Sequence, residues 1–67
     1  MRVLLNGREA DLPGHAPTLQ DAIEAAGVSP RGLICERNGE GVPPGAWATV
    51  GLEAGDRLEW VRLVGGG

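Results

Sequence analysis

Of the side chains that supply nucleophiles and proton shuttles, the sequence holds one histidine, His15, and one cysteine, Cys35, with neither lysine nor tyrosine. A thiol is activated by an imidazole only where the two meet within hydrogen-bond reach. His15 stands in a Pro- and Gly-rich stretch and Cys35 in an apolar run. That placement predicts a solvated loop histidine and a small buried thiol. A single cysteine excludes an internal disulfide and a multi-cysteine metal site, and metal-ligand spacing is absent. Gly14 alone precedes Thr18, so no phosphate-cradling loop is predicted there. No catalytic residue and no metal site are expected, and the chain does not read as an enzyme.

The remaining chemistry lies in the main chain. The sequence closes on Leu63-Val64-Gly65-Gly66-Gly67. Glycine has no Cβ, so Gly65 and Gly66 can thread a narrow channel in another protein, and the carboxylate of Gly67 is left unhindered for adenylation and nucleophilic attack. The same composition also fits a frayed tail without a function. Because lysine is absent, no side-chain amine is available for isopeptide polymers of the chain itself.

Such a tail must be held out by the elements before it. Val3-Leu4-Leu5, Asn6-Gly7 and an alternating run after it predict an antiparallel hairpin with strands over 2–6 and 8–12, because Asn and Gly tolerate the positive φ of a type I′ turn. Pro13, Gly14 and Pro17 end the hairpin. Thr18 is a good N-cap; Asp21 stands where a capping box prefers Glu or Gln, so an imperfect box is expected. Leu19, Ala22, Ile23 and Ala26 share one face of a helix over 18–26, and Gly27 followed by Val28 and Pro30 suits a Schellman ending. Leu33 to Arg37 reads as a third strand, Asn38-Gly39 as a second hairpin turn, and Glu40 to Val42 as a short return strand that Pro43 stops. Gly41 predicts that this fourth strand is weak or bulged. Residues 46–50 are irregular, with one helical turn around Trp47, and Ala54-Gly55-Asp56 is a turn. Arg57 to Val64 is the last and longest strand.

The order is β-β-α-β-β-loop-β. One helix must cover one face of a mixed sheet of four or five strands, with the first and last strands parallel in the middle. That is an α+β roll of the ubiquitin-like, β-grasp kind. Residues 1–64 are expected to form the domain and 65–67 the tail. At 67 residues the chain has room for one domain and little core to spare for an enclosed active site. A net charge of −3 with six scattered arginines argues against nucleic-acid binding. The short apolar run at the N-terminus is neither a signal peptide nor a membrane span, which makes the cytoplasm the expected location.

From end to end the sequence resembles the thiamine-biosynthesis sulfur carriers, the ThiS family of the ubiquitin-like β-grasp superfamily. The resemblance runs through Val3-Leu4-Leu5-Asn6-Gly7, Thr18-Leu19-Gln20-Asp21, Glu36-Arg37-Asn38-Gly39-Glu40, Val42-Pro43, Trp47, Leu52, Gly55-Asp56-Arg57-Leu58-Glu59 and Val64-Gly65-Gly66-Gly67. It implies a carrier that is acted on by partners. A ThiF-like adenylating enzyme would use ATP and magnesium, neither bound by this chain, to convert the Gly67 carboxylate to an acyl-adenylate. A sulfur donor such as a cysteine desulfurase would supply the sulfur of a thiocarboxylate, and a ThiG-like thiazole synthase would take it. The free chain is expected to be a monomer, with no nucleic-acid or membrane partner.

Trp60, Arg62 and Val64 are the expected docking residues beside the tail, since Trp and Arg are enriched at interface hot spots. The competing reading puts Trp60 in the core, because the last strand carries apolar residues on both sides. Trp47 is expected to pack its loop against the sheet. Rival functions are a carrier for molybdopterin or tRNA thiolation, and a ubiquitin-like protein modifier or plain interaction module.

Overall fold

The computed structural model describes residues 1–14 and 17–63. The elements, in chain order, are β1 (Arg2–Leu5), β2 (Arg8–Asp11), α1 (Leu19–Ala25), β3 (Leu33–Arg37), β4 (Glu40–Val42), a 3₁₀ turn (Pro44–Ala46) and β5 (Arg57–Arg62). They form one mixed five-stranded sheet in the order β2-β1-β5-β3-β4. β5 is the central strand, parallel to β1 and antiparallel to β3. This is the roll expected from the sequence.

Both Asn-Gly pairs make the turns they predict. Asn6 and Asn38 hold φ of 51° and 52°, and Gly7 and Gly39 hold 81° and 86°, the doubly positive pattern of type I′. At the head of α1 the capping box closes in both directions despite the shorter acid. The Asp21 N–H donates to Thr18 Oγ1 at 3.1 Å, and the Thr18 N–H donates to Asp21 Oδ2 at 3.1 Å. At its foot the Val28 and Gly27 amides reach the Ile23 and Glu24 carbonyls, with Gly27 at φ 68°, which is the Schellman arrangement.

Two local expectations are corrected. β4 is neither bulged nor irregular: Glu40, Gly41 and Val42 pair in turn with Arg37, Glu36 and Cys35. Gly41 keeps an ordinary negative-φ strand backbone with open space beside it, so nothing at this edge forces an extra residue into the ladder. The helical turn starts at Pro44, ahead of Trp47, because the fixed φ of proline is pre-organised for a first helical position.

The core is a single cluster. Leu19, Ala22 and Ile23 of α1 meet Val3, Leu33, Cys35, Leu58 and Trp60 of the sheet, closed at the sides by Leu12, Trp47 and Leu52. Trp47 is buried and its indole N–H donates to the Val42 carbonyl at 3.0 Å, so it ties its loop to the edge strand as expected. No described helix is long and apolar enough to cross a membrane.

Candidate functional site

The strand that leads into residues 64–67 is braced from several directions. Its start is fixed by the two turns. The Asn38 amide Oδ1 accepts from the Arg57 N–H at 2.9 Å, and its Nδ2 donates to Asp56 Oδ1 at 3.0 Å. Asp56 is buried and also accepts from Arg37 Nε at 2.9 Å and the Glu53 N–H at 2.8 Å. Burial pushes its carboxyl up, but the bonds from Glu53, Asn38 and Arg37, with the Arg37 charge, outweigh burial and hold it below its ordinary value. The Asn-Gly and Gly-Asp stretches that stand out in the sequence are therefore one structural joint.

The middle of β5 is held by the other turn. The Asn6 side chain accepts from the Trp60 N–H at 2.8 Å and donates to the Trp60 carbonyl at 3.3 Å. One amide side chain thus continues the parallel ladder past the end of β1. On the other flank β3 pairs with β5 over five residues, from Leu33 against Arg62 to Arg37 against Leu58. Beyond β5 the Leu63 N–H still donates to the Gly32 carbonyl at 2.8 Å.

The docking residues expected from the sequence separate. Trp60 faces α1 and is 9% exposed, so it is a core residue, and the expectation that it docks a partner is corrected. The register gives the reason: Trp60 lies opposite Cys35, which the helix covers. Its indole N–H has no hydrogen-bond partner among the described residues. Arg62 is exposed, but its guanidinium is engaged within the chain, donating to the carbonyls of Arg31 at 2.7 Å and Ser29 at 3.0 Å. Val64 and the tail residues Gly65, Gly66 and Gly67 lie outside the described residues, as does His15. Cys35 is buried, and desolvation pushes its thiol up, away from the nucleophilic form.

The face away from α1 carries no covering element among the described residues, and its side chains change character along β5. Near the start, Glu36 and Glu59 stand directly opposite one another, with Arg57 beside Leu4 on β1. Toward the tail, Ile34 stands opposite Val61, and Leu63 follows on the same side by alternation. Ile34, Val61 and Leu63 are 43%, 56% and 65% exposed, an apolar group at the rim where residue 64 begins. Val61 and Leu63 are legible in the sequence as one side of the last strand. Ile34 is the residue that sequence reasoning missed. Its signal was the alternation Leu33-Ile34-Cys35-Glu36, which places Ile34 outward once Leu33 and Cys35 are taken as core.

Among the described residues no cluster of three or more His, Cys, Asp or Glu side chains could hold a metal ion. What the described residues offer is a hydrogen-bonded central strand with an apolar patch at its end.

Comparison with known proteins places this geometry. Residues 3–67 match the model of the ThiS family. The crystal structure of the thiamine biosynthesis protein ThiS from Geobacter metallireducens superposes with a TM-score of 0.86 at 25% identity, covering all of both chains. A thiazole synthase from Paramagnetospirillum magneticum is 36% identical over all 67 residues, and the chain spans 20% of that protein's length.

Proposed function

The chain belongs to the ThiS family, and we propose that it is a sulfur carrier of thiazole formation in thiamine biosynthesis, with the Gly67 carboxylate as the point of attachment. A carboxylate is a poor electrophile. An adenylating partner that consumes ATP, with magnesium, would join it to AMP and release pyrophosphate. Sulfide attack on the acyl carbon would then expel AMP and leave a thiocarboxylate. A persulfide donor would instead leave an acyl disulfide, which a second thiol cleaves to the same product. Sulfur at that position is a better nucleophile than the oxygen it replaces. A thiazole synthase would take it, with an oxygen from water or from the acceptor substrate replacing the sulfur and restoring the carboxylate.

The observation that carries this reading is the braced central strand ending beside Ile34, Val61 and Leu63. A carrier must present one end of its chain to two enzymes in turn, which requires a recognisable patch at the root of a slender tail. The same patch supports docking of both partners through the uncovered face of the sheet. That a thiazole synthase includes a stretch similar to this whole chain supports such an enzyme as the acceptor. Proton transfers and activation belong, in this reading, to the partners.

Intact mass after incubation with ATP, a ThiF-like adenylating enzyme and a sulfur donor tests it. The expected result is a gain equal to one oxygen replaced by sulfur, mapped to Gly67, and no gain in a chain lacking Gly67. An unchanged mass, with the enzyme active on another carrier, points instead to a protein modifier or plain interaction module.

A further inference from the structure

We propose that Arg62 is a positioning residue, a clasp whose grip on the post-helix loop fixes the place where the tail leaves the body. The inference rests on the carrier reading. Arg62 stands opposite the buried Leu33, on the helix side of the sheet, and its guanidinium extends to the loop after α1. Nη1 and Nη2 meet the carbonyls of Arg31 and Ser29 at 2.7 and 3.0 Å. The loop is shaped to offer those two oxygens together. The Pro30 carbonyl between them turns to the Leu33 N–H at 3.2 Å, and the Arg31 N–H turns to Ser29 Oγ at 3.4 Å. Gly32 then takes φ 71°, a left-handed value that side chains resist, and its carbonyl accepts from the Leu63 N–H.

These contacts matter because the end of β5 has little else. After Trp60 there is no buried side chain on this strand among the described residues, so apolar burial does not hold residues 61–63. Strand ends secured only by exposed hydrogen bonds fray. If Arg62 and Leu63 frayed, each freed residue would both dilute the carboxylate at the partner's reaction centre and have to be ordered on engagement. A guanidinium suits the task because its fork spans two acceptors at once while staying solvated.

The test compares wild type with Arg62→Ala and Arg62→Lys as full chains, using ATP-dependent adenylation by a ThiF-like enzyme. Arg62→Ala is expected to lower kcat about tenfold, the order set by one extra residue to be fixed. Affinity for the enzyme without ATP is expected to stay within about twofold, since the outer patch is intact, and Tm should move little. Amide exchange at Leu63 should quicken, and Arg62→Lys, able to reach one carbonyl, should recover part of the rate. An unchanged kcat in Arg62→Ala overturns the clasp. An affinity loss as large as the rate loss also overturns it, by showing that Arg62 touches the partner itself. If wild type is not adenylated while another carrier is, the carrier reading falls, and the clasp with it.

Discussion

The two faces of this sheet are built from the same strands and treated oppositely. On the helix side, Val3, Leu33, Cys35, Leu58 and Trp60 are closed off by α1 and its flanking loops. On the other side, Leu4, Ile34, Val61 and Leu63 remain exposed. Within β5 alone, Trp60 and Val61 are neighbours with comparable apolarity and contrary environments. The difference teaches that apolar character in this strand marks two separate demands. One face provides the stability of a small domain; the other leaves an apolar group exposed, which the carrier reading assigns to partners.

The sharpest way to break this comparison is to truncate one residue on each face. Trp60→Ala is expected to cost about 3–5 kcal/mol, the usual toll of an aromatic deleted from a core. Against the roughly 3–10 kcal/mol available to a domain of this size, that leaves much of the chain unfolded, which urea denaturation will show. Val61→Ala is expected to change stability by about 1 kcal/mol or less while weakening partner binding roughly tenfold in titration calorimetry. Equal effects of the two substitutions on stability would erase the distinction.

A second effect tests the ionic joint that starts β5. Asp56 has its carboxyl held below the ordinary value of 3.8 by Glu53, Asn38 and Arg37 against the opposing push of burial. A depressed carboxylate contributes stability above the unfolded pKa and loses it as pH falls through the folded one. Stability should therefore decline as pH drops below about 4, and Asp56→Asn should both lower stability at neutral pH, by about 1–3 kcal/mol, and flatten that acid slope. Thermal melts across pH 3 to 7 measure both, as approximate bounds set by the carboxylate range. A slope unchanged in Asp56→Asn would show that other carboxylates govern acid unfolding.

The smallest effect lies on the outer face. Glu36 and Glu59 face each other across β3 and β5, where like charges repel. Glu59→Gln is expected to raise stability by a few tenths of a kcal/mol, about 0.2–0.5, and less in high salt. Denaturation at low and high ionic strength reads it. Destabilisation instead would mean that the carboxylate has a favourable partner.

Much of the fold was legible because its signals are local. Each Asn-Gly pair dictates its own turn, Thr18 and Gly27 its own helix end, and Pro43 the stop of β4. Preference alone makes the box at Asp21 imperfect, yet its geometry suffices for both bonds. The site was harder. β5 is apolar on both sides, so alternation within it cannot say which side faces the helix. Only the register with β3, which sets Trp60 against Cys35 and Val61 against Ile34, decides that. The role of Arg62 was hidden for a similar reason, since its acceptors are main-chain oxygens and carry no side-chain signature.

The parallel pairing of β1 with β5 has a mechanical side. Met1 and Leu63 lie at opposite ends of adjacent parallel strands. A pull between them loads the bonds from the Leu4 N–H to the Asp56 carbonyl and from the Asn6 N–H to the Leu58 carbonyl in shear, both at once, where a hairpin would open one bond at a time. A force drawn through the end of β5 is therefore met by these bonds together, and the body should stay folded under it.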